Sequence, residues 1–454
     1  MTLRNALLVT YQFPPIGGSG VQRAVGLTRH LPAAGWGVHV LCARDARHTL
    51  SDATLFDARS DATAVHRARG FEPAGLAARL CRPWARHDAL SDRLRFVEDR
   101  IYWRLERACS QVRLPEPELL WCLSAVRAAR RLIFDHELDA VVTTSPANAT
   151  HLVGLKLKRR LGIPWVADLR DPIVTNFAYQ PRSRWGDWLL HRLEATIVRE
   201  ADHVVVTCPE LRSDLQRRYP GLPEERLTTI TNGFDPDDAP AAAPTAAADR
   251  FVIAHVGAFY RQQTVGPILD AIRLLRRDRP DVVDRLELRL VGTLSAEQTR
   301  LVQSDDATFL RRRGYVTHAE AVAEMASASA VLLMTPVNER GRLCIPAKAF
   351  EYMAFAGHII AIVHPGTALA GMLCDAGGVT LAQDHRPPAI ARAIRDCFDQ
   401  WQADTLEDTR DPAAVNRFRR DRLAKRFGDV ISRCAGVTPR LRLAPTDSAA
   451  EDAA

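Results

Sequence analysis

The sequence lacks any apolar run long enough to cross a lipid bilayer, which takes about 20 residues as a helix. Its longest uninterrupted apolar stretches, such as residues 359–363, fall far short of that length. The apolar run at residues 6–10 is too short for the core of a signal peptide, and no small-residue cleavage site follows it. This run is therefore predicted as the first β-strand, and the protein is expected in the cytoplasm.

Cysteine patterns typical of metal sites and of disulfide frameworks are also missing. The nine cysteines are scattered, and no CxxC pair or Cys/His cluster has the spacing of metal ligands. Buried free thiols are the expected state. The sequence predicts no metal site and no cofactor.

Lysine is scarce, with only four among the 61 basic residues, so the formal net charge of +7 rests on arginine. Such a charge suits nucleic acid. However, no helix-turn-helix, zinc-finger or aromatic RNA-binding signature accompanies it, and no nucleic-acid partner is predicted. Phosphorylated small molecules and anionic membrane surfaces account for the charge equally well.

What the sequence does contain is a repeated alternation of β-branched apolar runs with amphipathic stretches. This pattern is typical of parallel sheets with helices on both faces. Strands are predicted at residues 6–10, 38–42, 140–144, 165–168, 203–207, 252–256, 286–291, 330–334 and 358–363. The predicted fold class is α/β, with two Rossmann-like doubly wound parallel-sheet domains that face each other across a central cleft.

The domain boundaries follow from composition, since 454 residues exceed one ordinary core and an Ala/Pro-rich tract interrupts the alternation. The polar, Ala-rich C-terminus is expected to be disordered. The prediction assigns a first Rossmann-like domain to 1–236, a linker to 237–249, a second Rossmann-like domain to 250–410, a helical segment packing back on the first domain to 411–436, and a disordered tail to 437–454.

Residues 71–120 break the alternation with a basic, aromatic pattern. The arginines and aromatic residues of this segment include Arg79, Arg82, Arg86, Arg93, Arg95, Arg100, Arg104, Arg107, Trp84, Tyr102 and Trp103. The pattern predicts basic amphipathic helices. They form either an insertion packed on the sheet with a solvated arginine face, or a surface for anionic lipid or a lipid-linked acceptor.

A glycine-rich turn follows the first predicted strand. Gly17, Gly18 and Gly20 let the backbone turn tightly and approach a ligand with no Cβ in the way. The helix that starts at about Val21 aims free N–H groups and a partial positive charge at the same place, which suits a phosphate. A plain strand-to-helix connection fits equally well, because the spacing is not GxGxxG.

Polar residues cluster where the third and fourth predicted strands end. Asp168, Arg170 and Asp171 come with the end of the fourth strand, and His151 lies shortly after the third. The carboxyl ends of parallel strands are where open α/β sheets bind ligands. Asp171 and His151 are candidates for orienting a substrate, and Asp168 and Arg170 for contacting it or shaping the loop. An internal ion pair between Arg170 and an aspartate is the structural alternative.

The second half repeats the arrangement. Gly257 follows its first predicted strand, and Arg261 comes four residues later. Lys348 and Glu351 are three residues apart at the start of a predicted helix and so share one face. The two cations fit a diphosphate, and the carboxylate fits ribose hydroxyls. For Lys348 and Glu351 the alternative is a surface salt bridge.

Five segments occur in an order that is specific even though each motif is loose. They are YQFPPIGGSGVQRAVGLTRHLPAAGWGVHVL, VADLRDP, ADHVVVTCPELRSDL, ITNGFDP and IPAKAFEYMAFAGHIIAI. From Ala6 to about Phe427 the chain resembles the family 4 retaining glycosyltransferases, which have the GT-B fold.

The resemblance implies roles at a donor diphosphate. Gly17 and Gly18 match the glycine loop that lies close to the diphosphate, and Gly257 is assigned to the same site. Arg261 and Lys348 match basic positions that neutralise the diphosphate as it leaves.

The resemblance also implies roles at the donor sugar and ribose. Glu351 matches the second glutamate of the family's E-x7-E element, which binds the ribose. Leu343 stands where the first glutamate, which contacts the donor sugar, is common, so no donor sugar is predicted. Asp171 and His151 are candidates for orienting the acceptor or the donor sugar.

The implied activity is transfer of a sugar from a nucleoside-diphosphate sugar to a hydroxyl acceptor, with retention and without a metal. The expected acceptor is a glycan or lipid-linked intermediate of the cell envelope, reached at the inner face of the cytoplasmic membrane through residues 79–107. One alternative is a non-hydrolysing sugar-nucleotide epimerase, which shares the architecture but needs several acid–base groups in the cleft. Another is a non-catalytic sugar-nucleotide-binding protein.

Overall fold

A computed structural model describes residues 4–44, 51–56, 63–70, 118–176, 184–240, 249–259, 263–303, 308–336, 339–382, 384–406 and 409–437. Three predictions fall outside these residues. They concern Arg261, the tail after 437 and nearly all of the basic segment 71–120, of which only residues 118–120 are described. Most of the predicted linker 237–249 also lies outside them, at residues 241–248. Among the described residues, no helix combines the length and the apolar character needed to cross a membrane.

The first domain is built on a sheet whose strands all run parallel. Its strands are β1 (Arg4–Val9), β2 (Trp36–Ala43), β3 (Thr63–Ala68), β4 (Ala140–Thr144), β5 (Trp165–Leu169), β6 (His203–Val206) and β7 (Leu227–Thr229). Its helices are α1 (Ser19–His30), α2 (Leu119–Asp135), α3 (Thr150–Leu161), α4 (Arg184–Glu200) and α5 (Pro209–Arg218). The strand order among the described residues is β3-β2-β1-β4-β5-β6-β7, so the direction of winding reverses between β1 and β4.

The second domain repeats this plan in a sheet that is again parallel. Its strands are β8 (Phe251–Val256), β9 (Leu286–Val291), β10 (Leu310–Arg313), β11 (Ala330–Met334), β12 (Ile359–Ile362) and β13 (Val379–Leu381). The helices that follow in the chain are α6 (Gly266–Asp278), α7 (Pro280–Arg285), α8 (Ala296–Gln303), α9 (His318–Ser327), α10 (Lys348–Phe355), α11 (Ala368–Ala376), α12 (Pro387–Gln402), α13 (Pro412–Asn416) and α14 (Arg420–Val437). The described strands follow the order β10-β9-β8-β11-β12-β13.

Burial explains why the central strands read as apolar runs. Every residue of β4 and of β11 is buried, because helices cover both faces of a parallel sheet. The predicted fold class, two doubly wound α/β domains, is confirmed. In both sheets the winding reverses beside the first strand, at β1 and at β8, and ligands of open α/β sheets bind outside the carboxyl ends of such strands.

The structure adds four strands that the sequence reading missed, β3, β7, β10 and β13. It also moves the start of α1 to Ser19, two residues before the position predicted from the sequence. The four missed strands are the outermost strands of the two sheets.

The last helix returns to the first domain. Leu423, Phe427 and Ile431 of α14 are buried in one cluster with residues of β1 and β2, such as Leu8 and Val38. The chain therefore ends, as far as it is described, on the domain in which it begins.

Candidate functional site

A cavity of about 320 Å³ lies between the two domains. It is lined by residues that follow β1, including Gly17 and Gly18, and by residues of the second domain, including Gly257, Lys348 and Glu351. The volume falls in the range of small-molecule sites. The structure thus brings together all the predicted donor-binding residues that it describes.

The glycine-rich turn is the first-domain wall of this cavity. Gly18 has a φ of 91°, in the left-handed region that favours glycine, and it is the N-cap of α1. The first turn of α1 holds no acidic residue, so no side chain there offsets the positive end of the helix. A Cβ at Gly17 would collide with the hydroxyl of Tyr315, so Gly17 also lies where the second domain touches the first.

Arg170 holds the backbone of this turn through hydrogen bonds. Its guanidinium donates hydrogen bonds to the backbone carbonyls of Ser19, at 3.0 Å, and of Gly20. Asp168 is fully buried and pairs with Arg23 of α1 rather than with Arg170, accepting two hydrogen bonds of 2.8 Å. Asp168 therefore anchors α1 to the end of β5, and of the two aspartates it is Asp171 on which the charge of Arg170 acts.

Lys348 lies at the start of α10, with its amine held by a histidine. The Nζ atom is 3.2 Å from Nε2 of His255, whose Nδ1 is 3.0 Å from the carbonyl oxygen of Leu332. Because a carbonyl only accepts, Nδ1 carries the proton and Nε2 accepts from Lys348. Burial lowers the pKa of Lys348 to about 7, and burial together with Lys348 holds the pKa of His255 well below its usual value.

Glu351, one turn along α10, is 5 % exposed and bonds to the second domain's His318. Nε2 of His318 lies 2.9 Å from Oε1 of Glu351. Burial alone would raise the pKa of Glu351, but the bond to His318 and the charge of Arg420 lower it. For His318, burial would lower the pKa and the bond to Glu351 reverses the shift. The alternative of a Lys348–Glu351 surface salt bridge is wrong, because Glu351 is buried and each residue has another partner.

Residues far apart in the sequence complete the cavity. Asp52 of the first domain accepts a 3.2 Å hydrogen bond from the backbone N–H of His318. Gln22 of α1 accepts from Arg420 of α14 at 3.1 Å. The sequence analysis missed these residues, because no local motif marks a contact between distant segments.

Two predicted catalytic residues lie apart from the cavity lining. His151 is fully buried at the start of α3, with Nδ1 2.8 Å from Oγ1 of Thr143, and burial lowers its pKa to about 4. Burial raises the pKa of Asp171, against the charge of Arg170. Neither residue is among the described residues that line the cavity. Their role at the substrate stays a prediction.

Leu343 also lies off the described cavity lining, at the end of a 3-10 helix (Glu339–Leu343). Its backbone carbonyl accepts a hydrogen bond from the thiol of Cys208 across the domain boundary, at 3.3 Å. The position of the missing first glutamate therefore serves, through its backbone, as a contact between the domains.

Comparison with known proteins gives a family match for part of the chain and a fold for nearly all of it. Residues 63–238 match the family model for Glycosyltransferase Family 4. Over 225 residues the chain is 28% identical to alpha-maltose-1-phosphate synthase from Mycolicibacterium smegmatis, a match that covers 44% of this chain and 54% of that enzyme. The match thus spans about half the length of this curated relative.

Solved structures match over nearly the whole chain. Sucrose-phosphate synthase from Thermosynechococcus elongatus has a TM-score of 0.65 and 16% identity, covering 96% of this chain and 100% of that chain. HepE from Anabaena, solved in complex with UDP and glucose, has a TM-score of 0.61 and 13% identity, and the match covers 95% of this chain and 100% of that chain. At such identities the likeness shows the fold alone. The chain therefore has the GT-B fold of these glycosyltransferases, and its residues 63–238 are similar to glycosyltransferase family 4.

Proposed function

We propose that the protein transfers a glycosyl group from a nucleoside-diphosphate sugar to a hydroxyl acceptor, with retention of configuration. The observation that carries this proposal is the cavity in which the glycine turn of one domain faces Lys348 and Glu351 of the other. The match of residues 63–238 to the model for Glycosyltransferase Family 4 supports it, as does the UDP and glucose bound to the similarly folded HepE.

In this proposal the positive end of α1 and the amine of Lys348 receive the diphosphate. Glycosyl transfer builds negative charge on the leaving phosphate, so donors already in place lower the barrier. Lys348 is suited to this task because His255 fixes its amine, and Arg261 adds a second cation. These cations neutralise the leaving group, so the proposed reaction needs no metal.

Glu351 is proposed to accept hydrogen bonds from the ribose hydroxyls of the donor. It lines the cavity three residues from Lys348, on the same face of α10, so diphosphate and ribose would contact neighbouring positions of one helix. The family's first glutamate is absent at Leu343, and the donor sugar is left open.

The proposed acceptor is a glycan or lipid-linked intermediate of the cell envelope, with Asp171 and His151 orienting acceptor or donor sugar. The support is the interleaving of arginine with tryptophan and tyrosine in residues 79–107, a composition suited to an anionic membrane surface. The protein would then act in the cytoplasm and at the inner face of the membrane.

The test is incubation of the protein with labelled sugar nucleotides, with and without a bacterial lipid extract. Transfer of label to a lipid-soluble or glycan product is expected. Epimerised sugar nucleotide would replace the proposal with the epimerase alternative. Tight nucleotide binding without turnover of any donor would indicate a non-catalytic binding protein.

The site itself is tested by Lys348→Ala. We expect kcat/KM to fall by a factor of about 10²–10³, or roughly 2–4 kcal/mol of transition-state stabilisation, as when one preorganised donor is removed. The matched control is Lys425→Ala, because Lys425 is exposed on α14 and far along the chain from α10. A folded Lys348→Ala variant with the activity of the control would show that the diphosphate does not bind here.

A further inference from the structure

Three histidines meet on the first domain, apart from the cavity. His39 lies on β2, His66 on β3, and His136 directly after the end of α2. One ring nitrogen of each can be chosen so that all three lie within 4.8 Å of one another. None of the three is among the described residues that line the cavity between the domains, so the cluster is separate from the proposed donor site.

The spacing of the nitrogens fits a shared metal ion. Nδ1 of His39 lies 3.2 Å from Nε2 of His66. Two imidazole nitrogens bound to one tetrahedral zinc, at about 2.0–2.1 Å each, are about 3.3 Å apart. The first two ligands therefore already have the separation that a zinc ion requires.

The fold fixes two of these rings and leaves the third room to adjust. β2 and β3 are a parallel pair, with Leu41 opposite His66, and this register holds the rings of His39 and His66 at an interplanar angle of 4°. The ring centre of His136 lies 4.5 Å from that of His39, and His136 is exposed. Because His136 is exposed, its side chain has room to rotate toward the other two nitrogens, which lie within 4.8 Å.

We propose that His39, His66 and His136 form a binding site for a divalent transition metal, with Zn²⁺ as the expected ion and water as the fourth ligand. Imidazole is a ligand that zinc favours, and a tetrahedral ion with three protein ligands keeps one open position. The exposure of His136 gives that position access to solvent.

Such a site would tie three elements together. β3 is an outermost strand of its sheet, and residues 71–117 connect it to α2. A metal ion on these histidines would fasten β3 to β2 and to the end of α2. β3 and α2 are the two elements that this connection joins. The site is independent of glycosyl transfer, and its test does not require a known donor or acceptor.

The alternative is a metal-free cluster, in which the ring N–H of either His39 or His66 donates a hydrogen bond to the facing nitrogen of the other. The alternative and the metal site differ in metal affinity. The test is titration of chelator-stripped full-length protein with Zn²⁺ by calorimetry and with Co²⁺ by absorption spectroscopy. A Cys374→Ser background removes the one exposed thiol among the described residues, and Cys81→Ser and Cys109→Ser remove the two thiols outside them, so that thiolate binding does not mask the histidine site.

We expect one Zn²⁺ per chain, a tetrahedral Co²⁺ spectrum without thiolate charge-transfer bands, and a Zn²⁺-dependent rise in melting temperature. His136→Ala, at the exposed ligand, should fold and weaken Zn²⁺ binding by about 100-fold or more, because even an outer partner of a ligand contributes 10–100-fold. His66→Ala should do the same. His191→Ala, at an exposed histidine of α4, is the control and should bind as the parent does.

Two results would overturn the proposal. One is a parent protein that binds no more Zn²⁺ than a variant with all three histidines changed to alanine. The other is a folded His136→Ala variant with unchanged affinity and stoichiometry, since the ion would then be held elsewhere in the chain.

Discussion

Lys348 stands out at the scale of single residues, because it is one of only four lysines in a chain whose other basic residues are arginines. An arginine keeps its charge under all ordinary conditions, whereas a buried amine releases its proton readily. The pKa of about 7 means that the side chain is partly neutral when the cavity is empty. A lysine therefore avoids most of the cost of an unpaired charge until an anion arrives.

The low pKa of the free Lys348 amine predicts that the protein takes up a proton when it binds a nucleotide. At pH 8 the free Lys348 amine, with a pKa of about 7, is mostly neutral. A bound diphosphate would return its pKa toward the usual 10.4, so binding should take up about one proton. At pH 8 the diphosphate itself is fully ionised and adds no uptake of its own, since its last pKa is near 6.

Calorimetry of nucleoside diphosphate binding in buffers of different ionisation enthalpy measures this uptake. The uptake should shrink as the pH falls below about 7, where the free amine is already protonated, and should be lost in Lys348→Met. Equal uptake by Lys348→Met and the parent would assign the proton to another group.

Glu351 allows its structural and binding roles to be separated. Glu351→Gln should weaken nucleoside diphosphate binding by about 10-fold or more, because hydrogen bonds to a charged group contribute roughly 1.5–3 kcal/mol. It should also lower the melting temperature, since His318 loses the negative charge of its partner. A deoxynucleotide lacking one ribose hydroxyl should bind the parent more weakly but bind Glu351→Gln no more weakly than the ribonucleotide.

The matched control is His318→Gln, which breaks the same hydrogen bond and keeps the carboxylate. It should lose stability yet still discriminate against the deoxynucleotide. If Glu351→Gln retained that discrimination, the ribose would have to be bound by another side chain.

Some of the residues that line the cavity could be predicted from the sequence and others could not. Gly17, Gly257 and Lys348 follow apolar runs or sit at a helix start, so local pattern marks them as ligand positions. His318 and Asp52 reach the cavity through contacts between segments 266 residues apart. Such contacts depend on how the domains pack, and no local periodicity records that packing.

At the scale of elements, the strands that the sequence reading found are the interior ones. The four that it missed, β3, β7, β10 and β13, are the edges of the two sheets. An edge strand has one neighbour and less cover, so it needs no continuous apolar run. β10 illustrates this, because three of its four residues are exposed arginines.

The turn after β8 gives a prediction at this scale. Gly257 has a φ of 102°, and a Cβ there would lie 3.3 Å from Nζ of Lys348. Gly257→Ala should therefore cost about 1–3 kcal/mol of folding free energy through backbone strain and also weaken diphosphate binding by displacing the amine. Urea unfolding and nucleotide titration measure the two effects.

Gly35→Ala is the control, because Gly35 has a φ of 85° with nothing within 4 Å of its would-be Cβ. It should lose similar stability and keep the parent's nucleotide affinity. Equal affinity in both variants would mean that the turn after β8 does not position Lys348.

At the scale of the whole molecule, the chain passes between the domains twice, after Phe234 and before Arg420, and the two passages are hydrogen-bonded to each other. The backbone N–H of Arg420 donates to the carbonyl of Phe234 at 2.9 Å, and that of Phe234 donates to the carbonyl of Phe418 at 3.2 Å. α14 then packs on the first domain, and its first residue contacts Gln22 beside the cavity. α14 thus completes the core of the first domain and contacts a residue that lines the cavity.

This arrangement predicts that the first domain depends on residues that follow the second. Phe427 of α14 is fully buried in the first-domain core, so Phe427→Ala should cost about 3–5 kcal/mol of folding free energy. Phe134→Ala is the control, since Phe134 is 39% exposed on α2 and should change stability little.

A chain ending at residue 419 should expose the same apolar face and aggregate, whereas one ending at 437 should melt like the full chain. Melting curves and light scattering of the four proteins measure these outcomes. A soluble 1–419 chain with the full melting temperature would show that the first domain folds without α14, and that the helix serves only to hold Gln22 through Arg420.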